Sequence, residues 1–226
     1  MPFAVLRDRL KTRKAKVCHI GLGQVGLFQA IESALAGFYT EAVDEDARKI
    51  ASLMEGSSYI DDISDSLLLQ ATSTDRLVFR TGSDGIGSAD IVVLSAPTPI
   101  SEGVPDLRPF KRMCEAVAQN ATPGQLVVVR STLFPGNTES ILVTRLVQNE
   151  LIPGDRVHVV VAPERCNVGS RQPLDATIPR LIGGVTPSCA QAGTDFYQAF
   201  GALTVQVSAR VAEAAKMLEN VFRFVN

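Results

Sequence analysis

The stretch Lys16-Val17-Cys18-His19-Ile20-Gly21-Leu22-Gly23-Gln24-Val25-Gly26 runs a short apolar strand into a G-x-G-x-x-G turn. Each glycine has its own use there. Gly21 permits the tight bend, Gly23 lets a pyrophosphate approach the backbone without meeting a Cβ, and Gly26 lets the following helix pack closely on the sheet. That helix opens with free N–H groups facing the phosphates. A second apolar run, residues 38–43, ends at Asp44, about 20 residues on, where a carboxylate accepts hydrogen bonds from a ribose diol. Turn and acid together point to a dinucleotide site, with NAD favoured over NADP. Taken alone, Asp44 also suits a helix N-cap, because residues 45–54 have helical character.

Outward from the turn, strands and helices alternate. Residues 27–36 form a crossover helix closed by Gly37. A second helix ends near Gly56, a short extra helix falls within residues 60–70, and Leu77-Val78-Phe79 is the third strand. After a Gly/Ser/Asp-rich connection, Ile91-Val92-Val93-Leu94 is apolar throughout, as a strand buried on both faces of a parallel sheet should be. It ends in Ser95-Ala96-Pro97-Thr98-Pro99, which holds Thr98 extended at the strand's C-terminal edge, the edge where open α/β sheets bind ligands. A polar turn residue is the other reading of Thr98. Pro105-Asp106 opens a helix over 107–120, and Leu126-Val127-Val128-Val129 delivers Arg130-Ser131-Thr132 to the same edge before a helix over 138–149. A strand at 157–161 brings Glu164, Arg165 and Cys166 to that rim, either to meet substrate or as a structural ion pair. A strand and turn at 180–184, a helix at 188–200 and a strand at 203–207 follow. The pattern predicts an α/β, Rossmann-like, doubly wound and mostly parallel sheet.

From about Ser208 to the last residue the chain reads as a helix. Glu213, Lys216, Asn220 and Arg223 share a polar face, and Val211, Leu218 and Phe222 are expected to supply the apolar packing. Lys216 and Asn220, at i and i+4, can place an ammonium and an amide beside one reacting oxygen, though a solvated face has the same pattern.

The 226 residues are 46% hydrophobic and 20% charged, with a net charge of -2, enough for a real core and no electrostatic case for nucleic acid or an anionic membrane as partner. No apolar run approaches the ~20 residues of a membrane span, so the cytoplasm is the expected location. Cys18, Cys114, Cys166 and Cys189 and the two histidines, His19 and His158, lack zinc-ligand spacing, and no metal is expected. The basic run over residues 7–16 reads as a solvated N-terminal extension. The expected organisation is therefore an extension over 1–15, a dinucleotide-binding domain over 16–207 and a helix over 208–226.

Taken together, the blocks Gly21-Leu22-Gly23-Gln24-Val25-Gly26, Pro97-Thr98-Pro99 with Pro105-Asp106-Leu107, Ser131-Thr132 with Pro135-Gly136, Pro163-Glu164-Arg165, Ile182-Gly183-Gly184 and Ala212-Glu213 with Lys216, Glu219-Asn220 and Phe222-Arg223 resemble the N-terminal half of the UDP-glucose/GDP-mannose dehydrogenase family. The Pro-Glu-Arg block and the end of the last helix are most similar to its UDP-N-acetylmannosamine and UDP-N-acetylglucosamine 6-dehydrogenases. The resemblance implies oxidation of a sugar C6 alcohol to a carboxylate with NAD, for polysaccharide precursor synthesis, by way of a cysteine-bound thiohemiacetal and thioester. It puts Val25, Asp44, Lys49, Thr98 and Thr132 beside Gly21, Gly23, Gln24 and Gly26 at cofactor positions. Glu164, Arg165, Cys166, Lys216, Asn220 and Arg223 then meet a UDP-sugar. Lys216, Asn220, Glu164 and Thr132 become the catalytic candidates, Glu164 by positioning a water.

The sequence also departs from the family. Gln24 and Phe28 stand where tyrosine and proline are common, and the C-terminal nucleotide-sugar domain with its nucleophilic cysteine lies outside these 226 residues. The resemblance implies a homodimer in the full-length form, built on a central helix that starts here. The expectation is an NAD-binding half without turnover of its own, with a stand-alone NAD-binding or regulatory module as the alternative. A 6-phosphogluconate-type dehydrogenase shares the Lys and Asn helix but not the Pro-Thr-Pro and Ser-Thr-x-x-Pro-Gly blocks.

Overall fold

Strand β1 (Lys16–Ile20) lies near the middle of an eight-stranded sheet and sets its polarity. The computed structural model describes residues 3–83, 85–164 and 178–225. On one side of β1 come β2 (Tyr39–Asp44) and β3 (Leu77–Thr81); on the other come β4 (Ile91–Leu94), β7 (Leu126–Val129), β8 (His158–Val161), β9 (Arg180–Gly184) and β10 (Thr204–Ser208). Every neighbouring pair is parallel except β8 and β9. The chain winds outward first through β2 and β3, then returns to the centre and winds the other way from β4. The gap between β1 and β4 is thus a topological switch point, where the strand ends leave a crevice.

The central strands β4, β7 and β8 are buried at every position, and their Val, Ile and Leu side chains feed layers on both faces of the sheet. One face is covered by α5 (Arg108–Asn120) and by a π-helical turn, Thr138–Val143, that passes into α6 (Thr144–Gln148). On the other, α1 (Phe3–Lys11) and α7 (Pro187–Gln198) pack Leu6, Leu10, Phe196 and Tyr197. Around β2 and β3, α2 (Gln24–Leu35), α3 (Ala47–Met54) and α4 (Asp65–Thr72) form a third cluster with Leu22, Leu27, Ile31 and Phe79.

Several expectations are corrected. The basic run is no solvated extension: it carries α1, whose Leu6 and Leu10 are fully buried one turn apart. Its arginines face outward but find partners. Arg7 pairs with Asp195 at 2.7 Å, Arg9 with Asp90 at 2.5 Å, and Arg13 donates to the carbonyl of Ala199 while stacking on Phe38. A run rich in charge still docks when two apolar residues at i and i+4 line up.

The last helix, α8 (Ala209–Val225), is turned the other way from the expectation. Glu213 is buried, whereas Val211, Leu218 and Phe222 are 51%, 68% and 68% exposed. Glu213 accepts hydrogen bonds from the backbone N–H groups of Gly136 (2.5 Å) and Thr138 (2.9 Å), satisfying donors at the start of the π-helical turn. The inward face is therefore made by Ala209 and Ala212, packed in the core, together with the Glu213 carboxylate and its two backbone donors.

Smaller differences are local. Val104–Pro105 is the second strand of a hairpin, β6, paired with β5 (Ile100–Ser101), so α5 starts after it. The N-cap of α3 is Asp46, whose side chain accepts from Arg48 N, which removes that use from Asp44.

Candidate cofactor cleft

The three glycines of the first turn are glycines for different reasons. Gly21 has φ +88, and a Cβ there would stand 2.6 Å from the carbonyl oxygen of Ser95 and 2.7 Å from the end of Met113. A Cβ on Gly26 would strike the carbonyl oxygen of Gly21 and come within 3.2 Å of Ser95 Cβ. Both glycines let β1, β4 and α2 approach one another. Gly23 is unlike them: it has φ -68, and a Cβ would meet nothing within 4 Å. The protein itself gives no cause for glycine at this position, which is exposed and faces the crevice. A ligand that must reach the backbone does.

The turn is held by its neighbours. Asp44, buried at the end of β2, accepts from Leu22 N through Oδ2 (2.8 Å) and from Asp46 N through Oδ1 (2.9 Å), and Lys49 Nζ lies 3.2 Å from Oδ2. Tyr59 donates its hydroxyl to the carbonyl oxygen of Leu22 at 2.5 Å, and Gln24 donates to the carboxylate of Asp62. At the far end, Ser131 Oγ accepts from Ala96 N at 2.9 Å and joins the ends of β4 and β7.

These elements enclose a cleft of about 660 Å³. Its walls include Gly21, Gly23, Gln24, Val25, Gly26, Asp44, Lys49, Thr98 and Thr132, so all nine cofactor candidates meet in one place. The cleft also takes in residues that sequence reasoning missed: Glu45, Ser95, Arg112, Met113 and Arg130. Ser95 Oγ is buried there without a hydrogen-bond partner among the described residues. An open path to backbone at Gly23, a buried carboxylate at the end of β2 and a hydroxyl awaiting a donor or acceptor fit a dinucleotide.

The described substrate candidates lie elsewhere. Arg165 and Cys166 fall outside the described residues. Glu164 is paired with Arg130, buried at the end of β7, and sits 3.5 Å from Arg180, which stacks on Tyr197. The ion-pair reading of Glu164 is thus what the geometry shows, although its partners are Arg130 and Arg180. On α8, Lys216 pairs with Glu219 at 3.3 Å and Arg223 with the same glutamate at 2.5 Å, while Asn220 is exposed. None of Glu164, Lys216, Asn220 or Arg223 lines the cleft.

The described cysteines are poor nucleophiles. Burial, with a contribution from Glu41, pushes the Cys18 thiol up to about 12, burial pushes Cys114 up to about 12, and Cys189 is buried against Thr186. Among the described residues no group of His, Cys, Asp and Glu side chains could hold a metal ion, and no helix is long and apolar enough to cross a membrane.

A family model for the NAD-binding domain of UDP-glucose/GDP-mannose dehydrogenases matches residues 15–201. The chain belongs to that family. NAD is accordingly the cofactor of this fold. Members of the family similar to this chain include Protein CapL of Staphylococcus aureus, 30% identical over 215 residues, which are 92% of this chain and 49% of the relative. A UDP-N-acetyl-D-mannosamine dehydrogenase of Pyrococcus horikoshii is 30% identical over 216 residues, 93% of this chain and 51% of its own length. The solved structure of the UDP-D-ManNAc dehydrogenase from P. horikoshii superposes with a TM-score of 0.84 at 28% identity, over 92% of this chain and 50% of that one. The chain spans about half the length of the curated relatives it matches.

Proposed function

We propose that this chain is the NAD-binding half of a nucleotide-sugar 6-dehydrogenase that oxidises the C6 alcohol of a UDP-N-acetylhexosamine to a uronate, and that it has no turnover alone. The observation that carries the reading is the meeting of all nine cofactor candidates in one cleft at the β1/β4 switch point. The preference for an N-acetylhexosamine rests on relatives named UDP-N-acetyl-D-mannosamine dehydrogenase and UDP-N-acetyl-D-glucosamine 6-dehydrogenase.

The bound nicotinamide supplies the hydride acceptor, used twice between alcohol and carboxylate. The chain's own residues would handle oxygen and protons. A carbinol oxygen becomes electron-rich as its O–H proton is lost and hydride leaves the carbon, and the Lys216 ammonium with the Asn220 amide would stabilise it. Glu219 holds Lys216 meanwhile, so substrate must displace that partner. Thr132, at the β7 end of the cleft, would orient the reacting group, and Glu164 would place a water for the second step once drawn from its arginines. Arg165, Cys166 and Arg223 complete the proposed sugar-binding set. Among the described residues Cys18, Cys114 and Cys189 are buried and do not suit the thioester chemistry, which the family resemblance gives to a cysteine of the C-terminal half.

The exposed apolar row of α8, Leu218, Val221, Phe222 and Val225, supports a homodimer in the full-length form, with a second copy of the helix as the occupant. The domain limits follow the same reading: residues 16–207 bind the cofactor and 208–226 begin a central helix.

Calorimetric titration with NAD, beside a Gly23→Val variant, tests the first part. Saturable binding that the variant loses is expected. Incubation with NAD and either UDP-N-acetylmannosamine or UDP-N-acetylglucosamine should release no NADH. Turnover by these 226 residues would overturn the need for a second half, and a folded chain that fails to bind NAD would overturn the cofactor site. Sedimentation should show self-association that Leu218→Ser with Val221→Ser reduces; a monomer at every concentration would remove the support for a dimer through α8.

A further inference from the structure

One end of the cleft lies between the end of β2 and the first turns of α5, and the acid at the end of β2 makes it the end where an adenosine ribose would sit. Asp44, the acid expected to meet the ribose, is already tied to two backbone N–H groups and to Lys49. Its charge is largely answered inside the protein. The next residue, Glu45, also lines the cleft and is exposed, and it reaches across the mouth to Arg112 on α5, with Oε1 3.2 Å from Nη2. The two residues are 67 positions apart and belong to opposite walls.

We propose that this pair sets the choice between NAD and NADP: Arg112 is a latent phosphate-binding guanidinium, and Glu45 is the residue that holds it out of use. While the pair is intact, a 2′-phosphate on the adenosine ribose meets a carboxylate and finds Arg112 already engaged. With Glu45 neutral, Arg112 and Lys49 flank that position with positive charge. The planar guanidinium suits a phosphate as well as it suits a carboxylate, so the same side chain serves either partner. The proposal goes beyond the acid at the end of β2 and rests on the assignment of this cleft to NAD.

Magnitudes favour a readable effect. While the pair is intact its two charges largely cancel; a 2′-phosphate carries up to two negative charges, and at about 5 Å in a water-like medium its attraction to one freed guanidinium is on the order of a tenfold change in affinity. The pair itself is a surface one, with Glu45 78% and Arg112 60% exposed, so breaking it barely touches folding.

The test is calorimetric titration of the whole chain with NAD and with NADP at low salt, using wild type, Glu45→Gln, Arg112→Ala and the double variant, with thermal unfolding of each to confirm the fold. Wild type should bind NAD and discriminate against NADP. Glu45→Gln should raise NADP affinity relative to NAD by about tenfold, the double variant should lose that gain, and high salt should shrink it. An unchanged NADP/NAD ratio in Glu45→Gln overturns the proposal while NAD binding by wild type keeps the cofactor assignment. A gain that persists in the double variant overturns the role of Arg112. Wild type that binds neither dinucleotide sinks the cofactor assignment and the proposal together.

Discussion

Gly23 and Gly26 stand three residues apart in one turn and answer to different masters: Gly26 to the protein, Gly23 to the ligand. The two are separable by experiment. Gly23→Ala places a methyl in open space at a φ any residue adopts, so unfolding in urea should match wild type while NAD affinity falls on the order of tenfold. Gly26→Ala drives a methyl into the Gly21 carbonyl and should cost about 1–3 kcal/mol of stability. Equal losses of stability in the two variants would contradict the assignment of Gly23 to the cofactor. The fingerprint glycines were legible because strand, turn and helix start are written in one continuous stretch, residues 16–26. Glu45 and Arg112 were not, because nothing in either segment announces a partner on the opposite wall of a cleft; only the crossing of strands at the switch point brings them together.

At the scale of an element, α1 separates apolar burial from surface charge. Leu10 is buried, whereas the side chains of Arg7 and Arg9 are nearly half exposed in their ion pairs. Leu10→Ala should therefore cost about 2–5 kcal/mol, and Arg7→Gln no more than about 1 kcal/mol, by urea denaturation. The reverse order would mean that charge rather than packing docks the helix. Strands such as β4 and β7 were read to the residue, because a run of Ile, Val and Leu bounded by turns has few other uses. Helices were harder. Periodicity gives two faces of α8 but not which one points inward, and the partners that Glu213 meets there, the backbone donors of Gly136 and Thr138, lie 75 or more residues away.

For the whole molecule, buried histidines tie stability to pH. His19 lies in the central strand with Nε2 2.9 Å from Ser33 Oγ, and burial, helped by the charge of Arg130, pushes it down to about 3. Below pH 6.5 the unfolded chain takes up a proton that the folded one refuses, so stability falls with pH from there towards 3 and is unaffected above. His158, also lowered by burial, acts in the same sense, while Glu32, raised by burial, works in the opposite one. Comparison with His19→Gln isolates the first contribution. Between pH 7 and pH 5 wild type should lose about 2 kcal/mol more than the variant, measured by urea unfolding at each pH. Parallel curves would show that His19 is protonated in the folded state.

The docking of α1 on α7 also bears on how the molecule is made. Arg7 and its partner Asp195 are 188 residues apart, and the helix face carrying Leu6 and Leu10 closes against Phe196 and Tyr197. A ribosome adding roughly 5–20 residues per second leaves α1 waiting roughly 10–40 seconds for α7 to emerge. During that interval a leucine-bearing, strongly basic helix hangs from a nascent chain beside the anionic surface of the ribosome. Docking of α1 therefore waits on the synthesis of α7.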